Sequence, residues 1–72
     1  MEYRTDEQFN EIFISALNGQ WKQAIQQTEE YGFYASDLIK KQQEFKEMGM
    51  HTFEDIDLCI LSEGAEKLRH KS

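Results

Sequence analysis

The chain has 72 residues and a formal net charge of −6, from 14 acidic and 8 basic residues. A chain of this length forms one domain and buries only about 60% of the surface that its unfolded form exposes. Its single cysteine excludes an intrachain disulfide, and its acidity disfavours phosphate backbones and anionic membranes as partners. No apolar stretch approaches the ~20 residues of a membrane span. We therefore expect one cytoplasmic domain over 1–72, stabilised by self-association, with nucleic acid and membranes disfavoured as partners.

Three glycines, Gly19, Gly32 and Gly49, each follow an amphipathic run, and the chain contains no proline. Glycine enters the left-handed conformation that ends a helix at little cost. The spacing predicts an all-α bundle of four short helices joined by tight glycine-containing turns. The helices are expected at about 6–18, 20–31, 36–48 and 53–68, with a disordered N-terminus (1–4) and a basic C-terminal tail (69–72).

The first two predicted helices form a hairpin, because only one or two residues separate them. Thr5 and Gln8 match a capping box at the start of the first helix. Its apolar stripe leaves Ile14 outside. The stretch 16–25 resembles the turn between the two helices of a tetratricopeptide repeat, with Gly19 after the first helix and Ala24 early in the second. This resemblance covers ten residues and implies an antiparallel helix pair rather than membership of that family.

The connector after Gly32 is aromatic, which is unusual because loops are normally polar. We expect its side chains to fold back on the core rather than form an exposed patch. Ser36 is the expected N-cap of the third helix. That helix is the most polar of the four, and its lysines alternate with glutamates as on a solvated helix face.

The fourth predicted helix has Thr52 as its expected N-cap and is apolar on two faces. One face carries Phe53, Ile56 and Ile60, and the other carries Leu58, Leu61, Ala65 and Leu68. A helix of this kind is central to its fold or lies in an interface. Gly64 is expected to weaken or break it, and Cys59 is expected to be buried. A strand at 56–61, pairing with another subunit, is the alternative.

The chain offers no arrangement typical of catalysis or metal binding. His51 and His70 are far apart in sequence, without the paired spacing of metal ligands. The Asp55-x-Asp57 pair lacks the further oxygen ligands and central glycine of a calcium loop, and Ser62 has no histidine nearby in sequence. We therefore expect a protein that is not an enzyme and that needs no cofactor or metal.

Apolar residues exceed what so small a core needs, which predicts a protein-interaction module: an adaptor, inhibitor or modulator, acting also through homodimerisation. The expected core is Phe9, Ile12, Phe13, Leu17, Trp21, Ile25, Leu38, Phe45, Ile56, Ile60 and Leu61. The candidate interface is Ile14, Tyr31, Phe33, Tyr34, Leu58, Leu61 and Leu68.

Two alternatives involve nucleic acid. An acidic mimic would block a DNA-binding protein by presenting aligned carboxylates, drawn from Asp6, Glu7, Glu11, Glu29, Glu30, Glu54, Asp55, Asp57, Glu63 and Glu66. A helix-turn-helix protein would use the third helix for recognition, with phosphate contacts from Lys40, Lys41 and Lys46. The net charge opposes the second alternative.

Overall fold

A computed structural model describes residues 4–71 and shows four α-helices. They are α1 (Asp6–Leu17), α2 (Trp21–Glu30), α3 (Ala35–Glu47) and α4 (Asp55–Arg69). The prediction of a small all-α bundle is confirmed, with helix bounds within two residues of those expected. The strand proposed at 56–61 is wrong, since this segment is helical. The expected disorder at 1–4 and the end of the expected tail fall largely outside the described residues, at 1–3 and 72.

The turns after α1, α2 and α3 share one geometry, as the glycine spacing predicts. Gly19, Gly32 and Gly49 have φ values of 77°, 78° and 75°. In each turn the N–H of the glycine donates to a carbonyl three residues back, and the next N–H donates to a carbonyl five residues back. This Schellman pattern satisfies the last carbonyls of each helix, so the chain can reverse direction within two residues.

The capping box at the start of α1 is confirmed. The Gln8 N–H donates to Thr5 Oγ1 at 3.2 Å, and the Thr5 N–H donates to Gln8 Oε1 at 3.1 Å. The expected N-cap at Ser36 is wrong, because α3 begins directly after Tyr34. The Tyr34 N–H donates to Asp37 Oδ2 at 3.0 Å, so the N–H at the N-cap is satisfied by a carboxylate three residues later.

Helix α4 begins later than expected and continues further. Thr52 is not its N-cap: Glu54 holds that position and donates its N–H to Asp57 Oδ2 at 3.3 Å. Among the described side chains, Thr52 Oγ1 is buried without a hydrogen-bond partner. Gly64 does not break the helix. A Cβ atom placed there would lie 2.8 Å from Ile25 Cγ2, so the glycine lets α4 approach α2 closely.

Each helix packs against two others, in the cyclic order α1, α2, α4, α3. Helices α1 and α2 are antiparallel, with Ser15 Oγ donating to Gln27 Oε1 across the pair at 2.8 Å. Helices α3 and α4 are also antiparallel, since Gln42 contacts the start of α4 and Arg69, at its end, contacts the connector before α3. The packing therefore consists of two antiparallel pairs placed side by side.

All five phenylalanines of the chain pack together at the centre. The Phe9 ring centroid lies 5.1 Å from that of Phe45, 5.5 Å from that of Phe53 and 6.0 Å from that of Phe33. Phe13 meets Phe53 edge-on at 5.0 Å. Tilted and edge-on ring pairs stabilise a core beyond simple burial. The expectation that the aromatic connector folds back on the core is confirmed for Phe33, whereas Tyr34 stays 53% exposed.

The core prediction for α4 is only partly confirmed. Leu61, expected in the core, is buried, and so is Leu58, whereas Ile56 and Ile60, also expected in the core, are 68% and 43% exposed. The close approach at Gly64 sets this orientation, because Leu61 comes one turn before it on the face that meets α2. The expected core residue Leu17 is also exposed, at 69%, since it comes last in α1.

Two smaller expectations about α4 are also corrected. Cys59 is exposed rather than buried, because it lies on the side of the helix away from the core. The basic tail expected at 69–72 does not begin at Arg69, since that residue is still helical. Its guanidinium Nη2 donates to the Phe33 carbonyl at 2.9 Å, which ties the end of α4 to the connector before α3.

Candidate functional site

The structure does not bring the seven residues of the predicted interface together. Phe33 and Leu61 are fully buried in the core, so their assignment to an interface is wrong. Packing between helices covers them, and the sequence pattern could not orient these helices. Leu58 also packs in the core, at 5% exposure, and reaches the surface only where it lines the groove described below. Ile14 and Tyr34 are exposed. Tyr31 and Leu68, the remaining two, are partly buried.

Tyr31 is engaged within the domain rather than free for a partner. Its hydroxyl donates to Glu11 Oε2 at 2.7 Å. This hydrogen bond to the carboxylate raises the pKa of Tyr31 to about 12, with smaller contributions from burial and from the charges of Glu11 and Glu30. The hydroxyl therefore acts as a donor that joins the end of α2 to the middle of α1.

Tyr34 is half exposed and lies against Arg69, which the sequence analysis treated as part of a tail. The Arg69 guanidinium carbon is 4.1 Å from the centroid of the Tyr34 ring, within the range of a cation–π contact. Arg69 Nη1 also lies 3.8 Å from Glu66 Oε2. Together with its bond to the Phe33 carbonyl, these contacts hold Arg69 in place with little exposure.

A groove runs between α3 and α4 and encloses about 310 Å³. We call it the α3–α4 groove. Its walls and floor are formed by Ala35, Ile39, Gln42, Gln43, Asp55, Leu58, Cys59 and Ser62. Ile39 is 46% exposed, although it is not among the predicted interface residues. The sequence did indicate this exposure. Ile39 directly follows Leu38, which is buried, and therefore points about 100° away from the core.

Gln42 fixes the two walls of the groove at one end. This side chain is buried, and its Nε2 donates to the Phe53 carbonyl at 2.8 Å and to Asp55 Oδ1 at 2.9 Å. A buried amide with hydrogen-bond partners orders its surroundings, because losing a partner would leave a desolvated polar group. The glutamine that interrupts the apolar stripe of α3 thus connects α3 to the first turn of α4.

Beside the groove, α4 exposes two isoleucines one turn apart, Ile56 and Ile60, which we call the α4 ridge. Cys59 lies between them in sequence, is exposed and lines the groove, whereas the two isoleucines project from α4 outside the groove. A separate apolar area lies on α1, where Ile14 and Leu17 are 48% and 69% exposed. Exposed apolar surface of this extent in a small domain is typical of an interface.

The charged residues do not favour the nucleic-acid alternatives. Lys41, one of three lysines expected to contact phosphate, is mostly buried and pairs with Asp6. Two of the acidic residues proposed for a mimic are also engaged within the domain: Asp6 pairs with Lys41, and Glu11 accepts a hydrogen bond from Tyr31.

Within residues 4–71, no group of three His, Cys, Asp or Glu side chains is placed to hold a metal ion. None of the four described helices is both long and apolar enough to cross a bilayer. No protein-family model matches the chain, and no significant similarity to a curated protein or a solved structure is found. The fold and its exposed surface define a small all-α domain, and its function is inferred from that surface.

Proposed function

We propose that this chain is a non-enzymatic protein-interaction module, cytoplasmic, acting as an adaptor, inhibitor or modulator. The α4 ridge and the α3–α4 groove bind another polypeptide. The observation that carries the proposal is the exposure of Ile39 in the groove and of Ile56 and Ile60 on the ridge, in a domain that already has a complete aromatic core. Covering these side chains removes apolar area from water, which is the main driving force of association.

Self-association is the second candidate, favoured by the α4 ridge, since two copies could cover each other's isoleucines across a twofold axis. A typical specific interface buries about 800 Å² per partner, roughly a sixth of the chain's 5015 Å². A ridge of two isoleucines supplies only the centre of such an area. The neighbouring groove would have to contribute the remainder.

The chain contains a matched pair of residues for testing this surface. Ile56 on the ridge and Leu17 on α1 are exposed to 68% and 69%. Ile56→Asp and Leu17→Asp therefore add the same charge and remove similar apolar area at different places. We expect Ile56→Asp to abolish capture of the partner by tagged protein, or to convert a dimer into an 8.6 kDa monomer by light scattering. We expect Leu17→Asp to behave as wild type.

Circular dichroism checks that both variants remain helical. If Ile56→Asp leaves partner capture and mass unchanged, or if both substitutions change them equally, the α4 ridge and the α3–α4 groove are not the binding surface.

A further inference from the structure

We infer that the α3–α4 groove binds a basic amphipathic helix of another protein. This inference rests on the proposed function and names the partner's chemistry. The groove extends beyond the stretch described above. A second open stretch, lined by Tyr34, Ser36, Glu63, Glu66 and Arg69, shares Ala35 and Ser62 with the first. The α4 wall of the combined groove runs from Asp55 to Arg69, about 21 Å at the helical rise of 1.5 Å per residue.

The shape and lining of the groove fit a helix. Its walls are two antiparallel helices, and its middle is apolar, formed by Ile39, Leu58 and Cys59. A partner helix of about 14 residues would match its length and place side chains at i, i+3, i+4 and i+7 along this floor. Residues 4–71 contain no strand, so they offer no sheet edge to which an extended peptide could add.

The charges along the groove select a basic partner. Three of the four charged residues that line its two stretches are acidic: Asp55, Glu63 and Glu66. The fourth, Arg69, is engaged by the Phe33 carbonyl, the Tyr34 ring and Glu66, and Glu66 also contacts His70. The four charges leave the lining with a net charge of −2, which Asp55 and Glu63 supply. Lys46 does not line the groove, because it comes three residues after Gln43, the last residue of α3 in the lining. Complementary charges at the edge of an apolar interface steer the right partner and repel wrong ones.

The same charges disfavour a second copy as the occupant. Each copy carries a net charge of −6, so two copies repel each other. The exposed face of α1, the other apolar area that a second copy could insert, carries Glu7 and Glu11 beside Ile14. These glutamates would face the acidic wall of the groove. A basic helix from another protein meets the same wall with attraction.

The test uses two labelled synthetic peptides of about 14 residues, each with leucine along one helical face. One carries lysine on its other face and the second carries glutamate there. Binding to the full chain is followed by fluorescence anisotropy at physiological ionic strength. We expect the lysine peptide to bind and the glutamate peptide to bind at least tenfold more weakly. Equal binding of the two peptides, or binding of neither, would overturn the inference.

Matched variants separate the groove from general attraction to an acidic protein. Ile39→Gln is compared with Leu17→Gln, and Glu63→Gln with Glu7→Gln, so each pair has the same charge change at an exposed helical position. We expect the lysine peptide to bind about tenfold more weakly to Ile39→Gln and about threefold more weakly to Glu63→Gln. The two control variants should bind like wild type. Equal losses in the groove variants and their controls would mean non-specific attraction and overturn the inference.

The outcome is distinguishable from failure of the proposed function. If Ile56→Asp abolishes partner capture while the peptide test fails, the chain is an interaction module and the groove takes a different occupant, a second copy included. If both tests fail, neither the α4 ridge nor the α3–α4 groove is a binding surface.

Discussion

At the scale of single residues, the hydrogen bond from Tyr31 to Glu11 makes the stability of the domain depend on pH in the alkaline range. The raised pKa means that the folded state keeps the phenol proton more tightly than the unfolded state, whose tyrosine titrates near 10. Between pH 10 and about 12 the folded state binds more protons, so the free energy of unfolding falls as pH rises. Below pH 10 the stabilisation is fully present.

We predict that Tyr31→Phe lowers the free energy of unfolding by about 1 kcal/mol at neutral pH and that this deficit closes towards pH 12. Urea unfolding of wild type and variant across this range measures the difference. Glu11→Gln is the companion variant: it removes the carboxylate, so the ultraviolet absorbance of ionised Tyr31 should appear at lower pH. A deficit that stays constant from pH 8 to pH 12 would contradict this account.

The residue scale also shows what local sequence predicts well. Thr5 and Gln8 were identified correctly because both halves of a capping box lie within four residues and need no tertiary contact. Ser36 and Thr52 were equally good caps by residue type, yet Tyr34 and Glu54 hold the N-cap positions, and their N–H groups donate to the carboxylates of Asp37 and Asp57. Arg69 was missed for a different reason, since Phe33 and Tyr34, its partners in the connector, lie 36 and 35 residues earlier and only the folded chain brings them together.

At the scale of helices, Gly64 determines how α4 meets α2. Alanine is preferred over glycine inside a helix by about 1 kcal/mol, so Gly64→Ala would stabilise α4 in isolation. In the folded domain the added Cβ would lie 2.8 to 3.0 Å from three atoms of Ile25. Overpacking of this kind costs about 1–3 kcal/mol, and the stiffness of a β-branched side chain in a helix limits relief by rotation.

We predict that Gly64→Ala destabilises the domain in the wild-type background and stabilises it in an Ile25→Ala background, where the contacting atoms are absent. Chemical unfolding of the four proteins of this double-mutant cycle gives the coupling energy between the two positions. Stabilisation by Gly64→Ala with Ile25 intact would show that the two helices are further apart than described.

The helix scale also separates what the sequence could predict from what it could not. The apolar stripe of α1 and the glycine turns were sufficient for helix number, bounds and the α1–α2 hairpin. The orientation of α4 was not predictable from periodicity, because both of its faces are apolar. Interpreting Gly64 as a point of close approach rather than a break would have favoured the Leu61 face. The α3–α4 groove depends on that orientation of α4, so the sequence did not predict the groove either.

At the scale of the whole molecule, one aromatic core supports all four helices, and it is small. Phe9 alone contacts three other phenylalanine rings contributed by the α2–α3 connector, by α3 and by the segment before α4. A domain of this size has a total stability near ~5 kcal/mol. Loss of one large core side chain therefore removes most of the margin, whereas loss of a surface side chain does not.

Helix α4 allows a direct comparison of the stability lost on truncating a core side chain and a surface side chain. A buried and an exposed branched residue lie five positions apart in this one helix. We predict that Leu61→Ala costs about 2–5 kcal/mol, enough to leave much of the protein unfolded, since Leu61 is fully buried. Ile56→Ala should cost less than about 0.5 kcal/mol, because Ile56 contributes to a surface and not to the core. Thermal and urea unfolding measured below any self-association concentration compare the two. A larger cost for Ile56→Ala would place the other face of α4 inward and remove the surface on which the proposed binding depends.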